Sequence, residues 1–229
     1  MTAARNTPVI ERCPANPILT RDDIPYPVET VHNAGVTRYN GRTIMLFRSH
    51  LRSGRSIIGI AESEDGFKFT VGPKPFLVPS TEGAFGEYEA FGVEDPRISC
   101  IGDEYLITYS AYSCHGVRIA LARTRDFRSV ERVALITQAD MRNVVIFPER
   151  FNGRYARLDR PHSEISPWSV WLSWSPDPVR PRSALSADGS VSTMGCSRPW
   201  MGRFIASAWR CMISRTRRRL SASRMNGCW

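Results

Sequence analysis

The sequence has no apolar run long enough to cross a bilayer as a helix, which argues against a helical membrane protein. Its first residues, Met1-Thr2-Ala3-Ala4-Arg5-Asn6-Thr7-Pro8, lack the apolar core of a secretory signal. Six cysteines (13, 100, 114, 196, 211 and 228) show no Cys-x-x-Cys spacing, so free thiols are expected. His32, His50, His115 and His162 are scattered and give no metal-ligand pattern, so no metal is expected. No amphipathic helix stands out before residue 180. These absences leave a soluble, cytoplasmic, all-β protein as the expectation.

What is present is one module, three times over. Each copy has a glycine at a hairpin turn, then a strand-like run, then a second strand ending in Ser/Thr-x-Asp. The glycines are Gly41, Gly102 and Gly153, the aspartates Asp65, Asp126 and Asp177, and the interval between them is 24 residues in every copy. The copies themselves begin 61 and then 51 residues apart. Asn40-Gly41 and Asn152-Gly153 suit a two-residue hairpin, because both residue types tolerate positive φ. Short runs such as Thr43-Ile44-Met45-Leu46-Phe47 and Tyr105-Leu106-Ile107-Thr108-Tyr109 are rich in β-branched and aromatic residues, which favours strands. The aspartate of each Ser/Thr-x-Asp can bond neighbouring amides and close the following turn. Fixed spacing within a copy and variable spacing between copies is the pattern of β-propeller blades, with a plain β-sandwich as the alternative. Three blades are fewer than the typical range of about four to eight in a closed propeller. Further blades are therefore expected to be hidden after residue 180 or missing.

The formal charge of +9 invites a nucleic-acid reading. It fails on distribution, because residues 181–229 hold nine arginines against one acid, Asp188, and leave the rest of the chain nearly neutral. That stretch has no lysine, three of the six cysteines, three of the six tryptophans and four of the seven methionines. It carries no fourth copy of the module. The chain is accordingly divided into blades over 1–180 and an atypical Arg-rich tail over 181–229. The tail has the composition of out-of-frame translation of a GC-rich gene. Arg215-Thr216-Arg217-Arg218-Arg219 alternatively suits a basic arm. No nucleic-acid partner and no membrane are expected, whereas exposed blade edges invite association into a homo-oligomer.

Chemistry-bearing residues gather at strand starts and ends. Phe91-Gly92-Val93-Glu94-Asp95-Pro96-Arg97 opens the second module with adjacent carboxylates, a proline that biases Asp95 toward extended backbone, and a glycine that permits close approach. A solvated polar turn is the plainer reading of this stretch. Arg48 and Arg160 lie at the same offset from their module glycines, where the second module has Tyr109. An arginine fork suits phosphate or carboxylate, and pairing with nearby acids is the alternative. Arg142 and Asn143 form a further polar pair before Val144. Tyr88, Tyr109, Tyr112 and Trp168 could stack on sugar rings, although core packing is the commoner use of such residues.

Val31-His32-Asn33-Ala34-Gly35, Leu46-Phe47-Arg48, Ala61-Glu62-Ser63-Glu64-Asp65-Gly66, Gly92-Val93-Glu94-Asp95-Pro96-Arg97, Ile146-Phe147-Pro148-Glu149 and Leu158-Asp159-Arg160-Pro161 together resemble glycoside hydrolase family 130. The likeness covers roughly residues 14–178, and the Glu-Asp-Pro-Arg block is its most specific part. The resemblance implies a five-bladed β-propeller, of which about three blades are recognisable. It implies a β-mannoside phosphorylase that makes α-mannose 1-phosphate with inversion, needing oligosaccharide and inorganic phosphate as substrates and no cofactor. It makes Asp95 the catalytic acid, acting through a sugar hydroxyl. Arg48, Arg142 and Arg160 look like phosphate ligands; Asn33, Glu94 and Asp159 look like sugar contacts, although Asp159 departs from the histidine of many members. A His and a Tyr that the family places in its fourth blade have no match after residue 180. The resemblance thus suggests a truncated and inactive chain. A β-mannoside hydrolase and a non-catalytic carbohydrate-binding propeller are the alternatives.

Overall fold

The structure, a computed structural model, describes residues 12–161, 171–175 and 178. Asp177, Trp168 and everything expected of residues 181–229 lie outside the described residues. The first blade is an antiparallel meander of β1 (His32–Tyr39), β2 (Arg42–His50), β3 (Ser56–Ser63) and the short β4 (Thr70–Val71). A single-turn helix, α1 (Gly83–Tyr88), follows. The second blade is β5 (Gly92–Ile101), β6 (Glu104–Ser113), β7 (Gly116–Thr124) and β8 (Glu131–Leu135). The third contributes β9 (Met141–Phe151), β10 (Arg154–Pro161) and β11 (Trp171–Ser175). The fold is all-β and of the β-propeller class. Among the described residues no helix is long and apolar enough to cross a membrane.

The local signals act where the sequence puts them. Asn40-Gly41 and Asn152-Gly153 join paired strands as two-residue turns, with φ of 46° and 78° in the first and 52° and 76° in the second. Positive φ at both positions matches the twist of the flanking strands. Asp65 closes the turn after β3, its Oδ1 accepting from Ser63 Oγ at 2.9 Å and from the amides of Phe67 and Lys68 at 2.8 Å. Asp126 repeats this after β7 with the amides of Arg128 and Ser129, both at 2.9 Å.

The equal 24-residue intervals conceal unequal blades. In the second blade Ile101 pairs with Glu104, so Gly102 holds the first turn position rather than the second. The β6–β7 turn, residues 114–115, is also shorter than the β2–β3 loop, residues 51–55. The shifted glycine and strands that are each one residue longer, β6 with 10 residues against 9 and β7 with 9 against 8, offset the shorter turn. They also correct one alignment: the residue opposite the β5 acid pair is Ser110, facing Glu94, and Tyr109 points into the core instead.

Alternation along the central strands sends successive side chains to opposite faces, both of them buried. Ile44, Leu46 and Ile58 of the first blade pack against Val93, Ile107, Tyr109, Ala120 and Ala122 of the second. On the other face of the second blade, Leu106, Ile119, Leu121 and Ile136 pack against Val144 and Ile146 of the third. The remaining face of blade one, with Phe47 and Ala61, is covered by Leu19, Ile24, Tyr26, Val28 and Val31. Thr108 and Ser99 hydroxyls donate to the carbonyls of Val144 and Ile146, adding polar links between blades two and three.

Blades one and two meet edge to edge at a single parallel bridge, Ser56 to Gly92. Gly92 has φ of 142°, and a Cβ there would lie 2.5 Å from the Ser56 nitrogen. The glycine thus serves a close backbone approach, two residues before the acid pair. Fully buried Glu89 fixes the preceding segment. It accepts from the Ser80 amide at 2.7 Å, from the Tyr109 hydroxyl at 2.6 Å and from Arg132 NH2 at 2.8 Å.

The turn aspartates make acid stability testable. Amide hydrogen bonds from Lys68 and Phe67 bring the Asp65 carboxyl to about 2, and those from Ser129 and Arg128 do the same for Asp126. Both folded values lie below the unfolded one of 3.8, so the stabilisation is complete above that value and is lost as pH falls through about 2. Replacing both aspartates with asparagine should flatten the fall in urea midpoint between about pH 5 and pH 2. An unchanged slope would show that the turns do not carry this dependence.

Candidate active site

The first strand of each blade is interrupted near its start. Register shifts fall between His32 and Gly35 in β1, between Glu94 and Arg97 in β5, and opposite Leu158–Arg160 in β9. One residue at each bulge adopts the left-handed conformation: Asn33 at φ 48°, Asp95 at 52° and Asn143 at 56°. Asn and Asp occupy this region several-fold more readily than most non-glycine residues. A bulge re-aims its side chain out of the strand's alternation. Here three successive blades aim their bulge residues at one another.

Asp95 is the meeting point. Its Oδ1 accepts from Asn33 Nδ2 at 2.8 Å and from Arg48 NH1 at 3.1 Å. Asn143 serves the other oxygen when its amide nitrogen faces Asp95, donating to Oδ2 at 3.3 Å while its own oxygen accepts from Arg160 NH2 at 3.1 Å. The reverse orientation would set acceptor against acceptor and donor against donor, so the hydrogen-bond chemistry selects this one.

Arg48, on β2, ties the two acids together. NH1 reaches Asp95, NH2 donates to Glu94 Oε1 at 2.6 Å, and Nε donates to Ser56 Oγ at 3.2 Å. Ser56 Oγ in turn donates to Glu94 Oε1 at 3.0 Å. The other oxygen of Glu94 accepts from Arg142 NH1 at 3.1 Å. The side chains of Glu94 and Asp95 retain only 4% and 8% of their exposure, so these charges are held by one another rather than by water. Arg48 NH2 also lies 3.0 Å from His50 Nε2. A guanidinium only donates, which makes Nε2 an acceptor and leaves the His50 proton on Nδ1, donating to Thr30 Oγ1 at 3.0 Å. His32 stacks beside His50 at 5.1 Å; burial first, then the charge of Arg48, lowers its pKa.

The cluster thus gathers two carboxylates among three arginines, 48, 142 and 160. Burial pushes the Asp95 carboxyl upward, but hydrogen bonds from Asn33 and Arg48 and the charges of Arg48 and Arg97 outweigh it. The net result holds Asp95 below the usual carboxylate range and so favours its ionised form.

Six of the seven residues singled out in the sequence come together here: Asn33, Arg48, Glu94, Asp95 and Arg142 directly, and Arg160 through Asn143. Asp159 is fully buried, 3.0 Å from Arg157 Nε. The sequence reading left Ser56, His50 and Thr30 out of the site and gave Asn143 no contact with the acid. A signal for Asn143 does exist: each first strand opens with a polar residue followed by Asx, as His32-Asn33, Glu94-Asp95 and Arg142-Asn143.

The chain is similar to proteins of known activity. The β-1,2-mannobiose phosphorylase of Listeria innocua is 44% identical over 123 residues, 53% of this chain and 33% of that protein. The β-1,4-mannooligosaccharide phosphorylase of Ruminococcus albus is 30% identical over 176 residues, 74% of this chain and 52% of that protein. The chain thus matches between a third and about half of the length of these relatives. The structure of the Listeria innocua β-1,2-mannobiose phosphorylase with β-1,2-mannobiose superposes with a TM-score of 0.64 at 30% identity, over 72% of this chain and 62% of that one. The family described as beta-1,4-mannooligosaccharide phosphorylase matches residues 5–202, running past the change of composition at residue 180. By that match over most of its length, this chain belongs to glycoside hydrolase family 130.

Proposed function

We propose that the chain carries the acid and much of the phosphate cradle of an inverting β-mannoside phosphorylase. Asp95 is the acid. Arg142 and Arg160 hold inorganic phosphate, with no further cofactor. Arg48 acts as the clamp on Asp95 and Glu94, since its guanidinium is already committed to both. Asn33 and Glu94 face the sugar. A phosphate oxygen attacks the anomeric carbon while the glycosidic C–O bond breaks. The electron pair of that bond goes to the leaving oxygen, which takes a proton from a sugar hydroxyl as that hydroxyl takes the proton of Asp95. The products are α-mannose 1-phosphate and a sugar shortened by one unit, and Asp95 regains its proton from solvent.

One observation carries this reading above hydrolysis. An inverting hydrolase needs a second carboxylate as base, roughly 6.5–9.5 Å from the acid, to activate water. The second carboxylate of this cluster, Glu94, is adjacent to Asp95 in the chain and bonded to Arg48, Arg142 and Ser56. With both oxygens already taken by two guanidinium groups and a hydroxyl, it is poorly placed to hold and orient a water. The surplus of arginine suits a phosphate anion.

The lowered proton affinity of Asp95 fits as well. An acid catalyst must hold a proton before it acts. Phosphate against Arg142 and Arg160 brings negative charge beside the carboxylate and raises its proton affinity. The co-substrate itself thereby arms the acid.

Two experiments test the assignment. Any turnover of a β-linked mannobiose should give mannose 1-phosphate and need phosphate, with Asp95→Asn lowering kcat by about 10²–10⁴-fold, whereas no product with either phosphate or water is the outcome expected of a truncated, inactive chain. Free mannose formed equally with and without phosphate would replace phosphorolysis by hydrolysis. Arg48→Met removes a hydrogen bond and a charge that hold the Asp95 carboxyl down, so Asp95 should titrate at higher pH in carboxyl ¹³C NMR. An unmoved titration would show that Arg48 does not govern the acid.

A further inference from the structure

Arg48 is held from two sides. Toward blade two its guanidinium meets the carboxylates of Glu94 and Asp95. On its own blade its neighbours are imidazoles: His32 is its cross-strand partner on β1, and His50 follows it on β2. The NH2 nitrogen of a guanidinium carries a pair of hydrogens. One of them goes to Glu94 Oε1 at 2.6 Å and the other to His50 Nε2 at 3.0 Å. The same nitrogen therefore joins the acid pair to a titratable ring that takes no part in the chemistry.

Thr30 fixes which nitrogen of that ring can accept. Its Oγ1 receives the His50 backbone amide at 3.0 Å and stands 3.0 Å from His50 Nδ1. With Nε2 accepting from Arg48, Nδ1 holds the proton and donates it to the second lone pair of Thr30 Oγ1. One neutral tautomer thus satisfies both neighbours. Across β2–β3 the partner of His50 is Ser56, and His32 stacks beside it at 5.1 Å. Burial first, then the charge of Arg48, keeps the His32 pKa low against the pull of Asp95 and Glu94. Glu29, whose amide donates to the His50 carbonyl at 2.8 Å, has its carboxylate on Arg21 at 3.5 Å. Among the described residues no carboxylate bonds the His50 ring. A second proton would set its Nε2–H against an N–H of Arg48, donor against donor and cation against cation.

We propose that His50 is a positioning residue for Arg48 that serves only as the neutral Nδ1–H imidazole, and that protonating it frees the guanidinium on that side and loosens its clamp on Glu94 and Asp95. The proposal rests on Arg48 being the clamp of the acid pair. A phosphorylase and a hydrolase built on this site would share it equally. The site then has a proton-sensitive element besides its acid, set in blade one and acting on blade two through a single side chain.

The test uses ¹⁵N NMR of the full chain, with the Arg48 Nε–H and the His50 ring nitrogens assigned against Arg48→Lys and His50→Gln. At neutral pH the His50 ring should carry its proton on Nδ1. As the imidazole takes up its second proton, the Arg48 Nε–H signal should move in step with it. Exchange of that proton with water should then be about tenfold faster than in His50→Gln at the same pH, the factor expected of one lost hydrogen bond. His50→Gln keeps an acceptor for Arg48 but has no proton to gain, so its Arg48 signal should stay in place over the same range. Thr30→Val should let the ring proton divide between both nitrogens, and Thr30→Ser should restore the Nδ1–H form. Tautomer and titration are read on the unmodified chain, so a variant that does not fold leaves the proposal testable. A proton on Nε2 at neutral pH overturns the positioning role. An Arg48 signal that stays fixed while His50 titrates overturns the release, as does an imidazole still neutral when the chain unfolds in acid. None of these outcomes depends on whether mannobiose is cleaved with phosphate, with water or not at all, so a failure of the proposed function is seen separately.

Discussion

The site depends on one backbone event repeated in three blades, a left-handed residue at a bulge near the start of each first strand. An L-residue in that region carries a steric cost of about 1–2 kcal/mol, least where Asn or Asp bonds locally. The cost is borne because a strand otherwise sends its side chains alternately up and down. Alternation would carry Asn33, Asp95 and Asn143 away from one another, into the interfaces between blades. The bulge turns each of them out of that alternation. Asp95 then receives one amide from each neighbouring blade, at 2.8 Å and 3.3 Å.

Electrostatics complete what the bulges begin. Two adjacent buried carboxylates repel, and each would be pushed toward its neutral form without cations close by. Arg48 reaches both and Arg142 takes the far oxygen of Glu94. The Arg48 guanidinium is itself constrained on its other side by Ser56 and by His50, which Thr30 orients. Removing one partner from a buried ion pair leaves an uncompensated charge and costs about 3–5 kcal/mol. The cluster is therefore cooperative, and no single member defines it.

Much of this was legible in the chain and some was not, for physical reasons. Hairpins and Asp-closed turns are local: Asn40-Gly41 and Ser63-x-Asp65 contain every group their hydrogen bonds need. Asp95 and its arginines were legible through the motif that surrounds them. Ser56, His50 and Thr30 were not, because their partners lie up to 38 residues away across a sheet and no local pattern records such a pairing. Tyr109 falls one residue out of register with Arg48 because Gly102 holds the first turn position where Gly41 holds the second. Asp159 follows its motif in sequence, and in space it lies against Arg157, a neighbour two residues back that the motif does not name.

The packing between blades then sets the precision of the chemistry. Backbone pairing within each blade is independent of its neighbours, apart from the single bridge at Ser56 and Gly92. The acid cluster has no such independence, since Asn33 and Arg48 come from blade one, Glu94 and Asp95 from blade two, and Arg142, Asn143 and Arg160 from blade three. Relative placement of the blades rests on side-chain contact, with Ala120 and Ala122 toward blade one and Ile119 and Leu121 toward blade three. A blade displaced by about 1 Å would keep its own ladder and still stretch the bonds to Asp95 beyond useful length. Small residues on one face of β7 and large ones on the other thus bear on the proton affinity of a carboxylate that they do not touch.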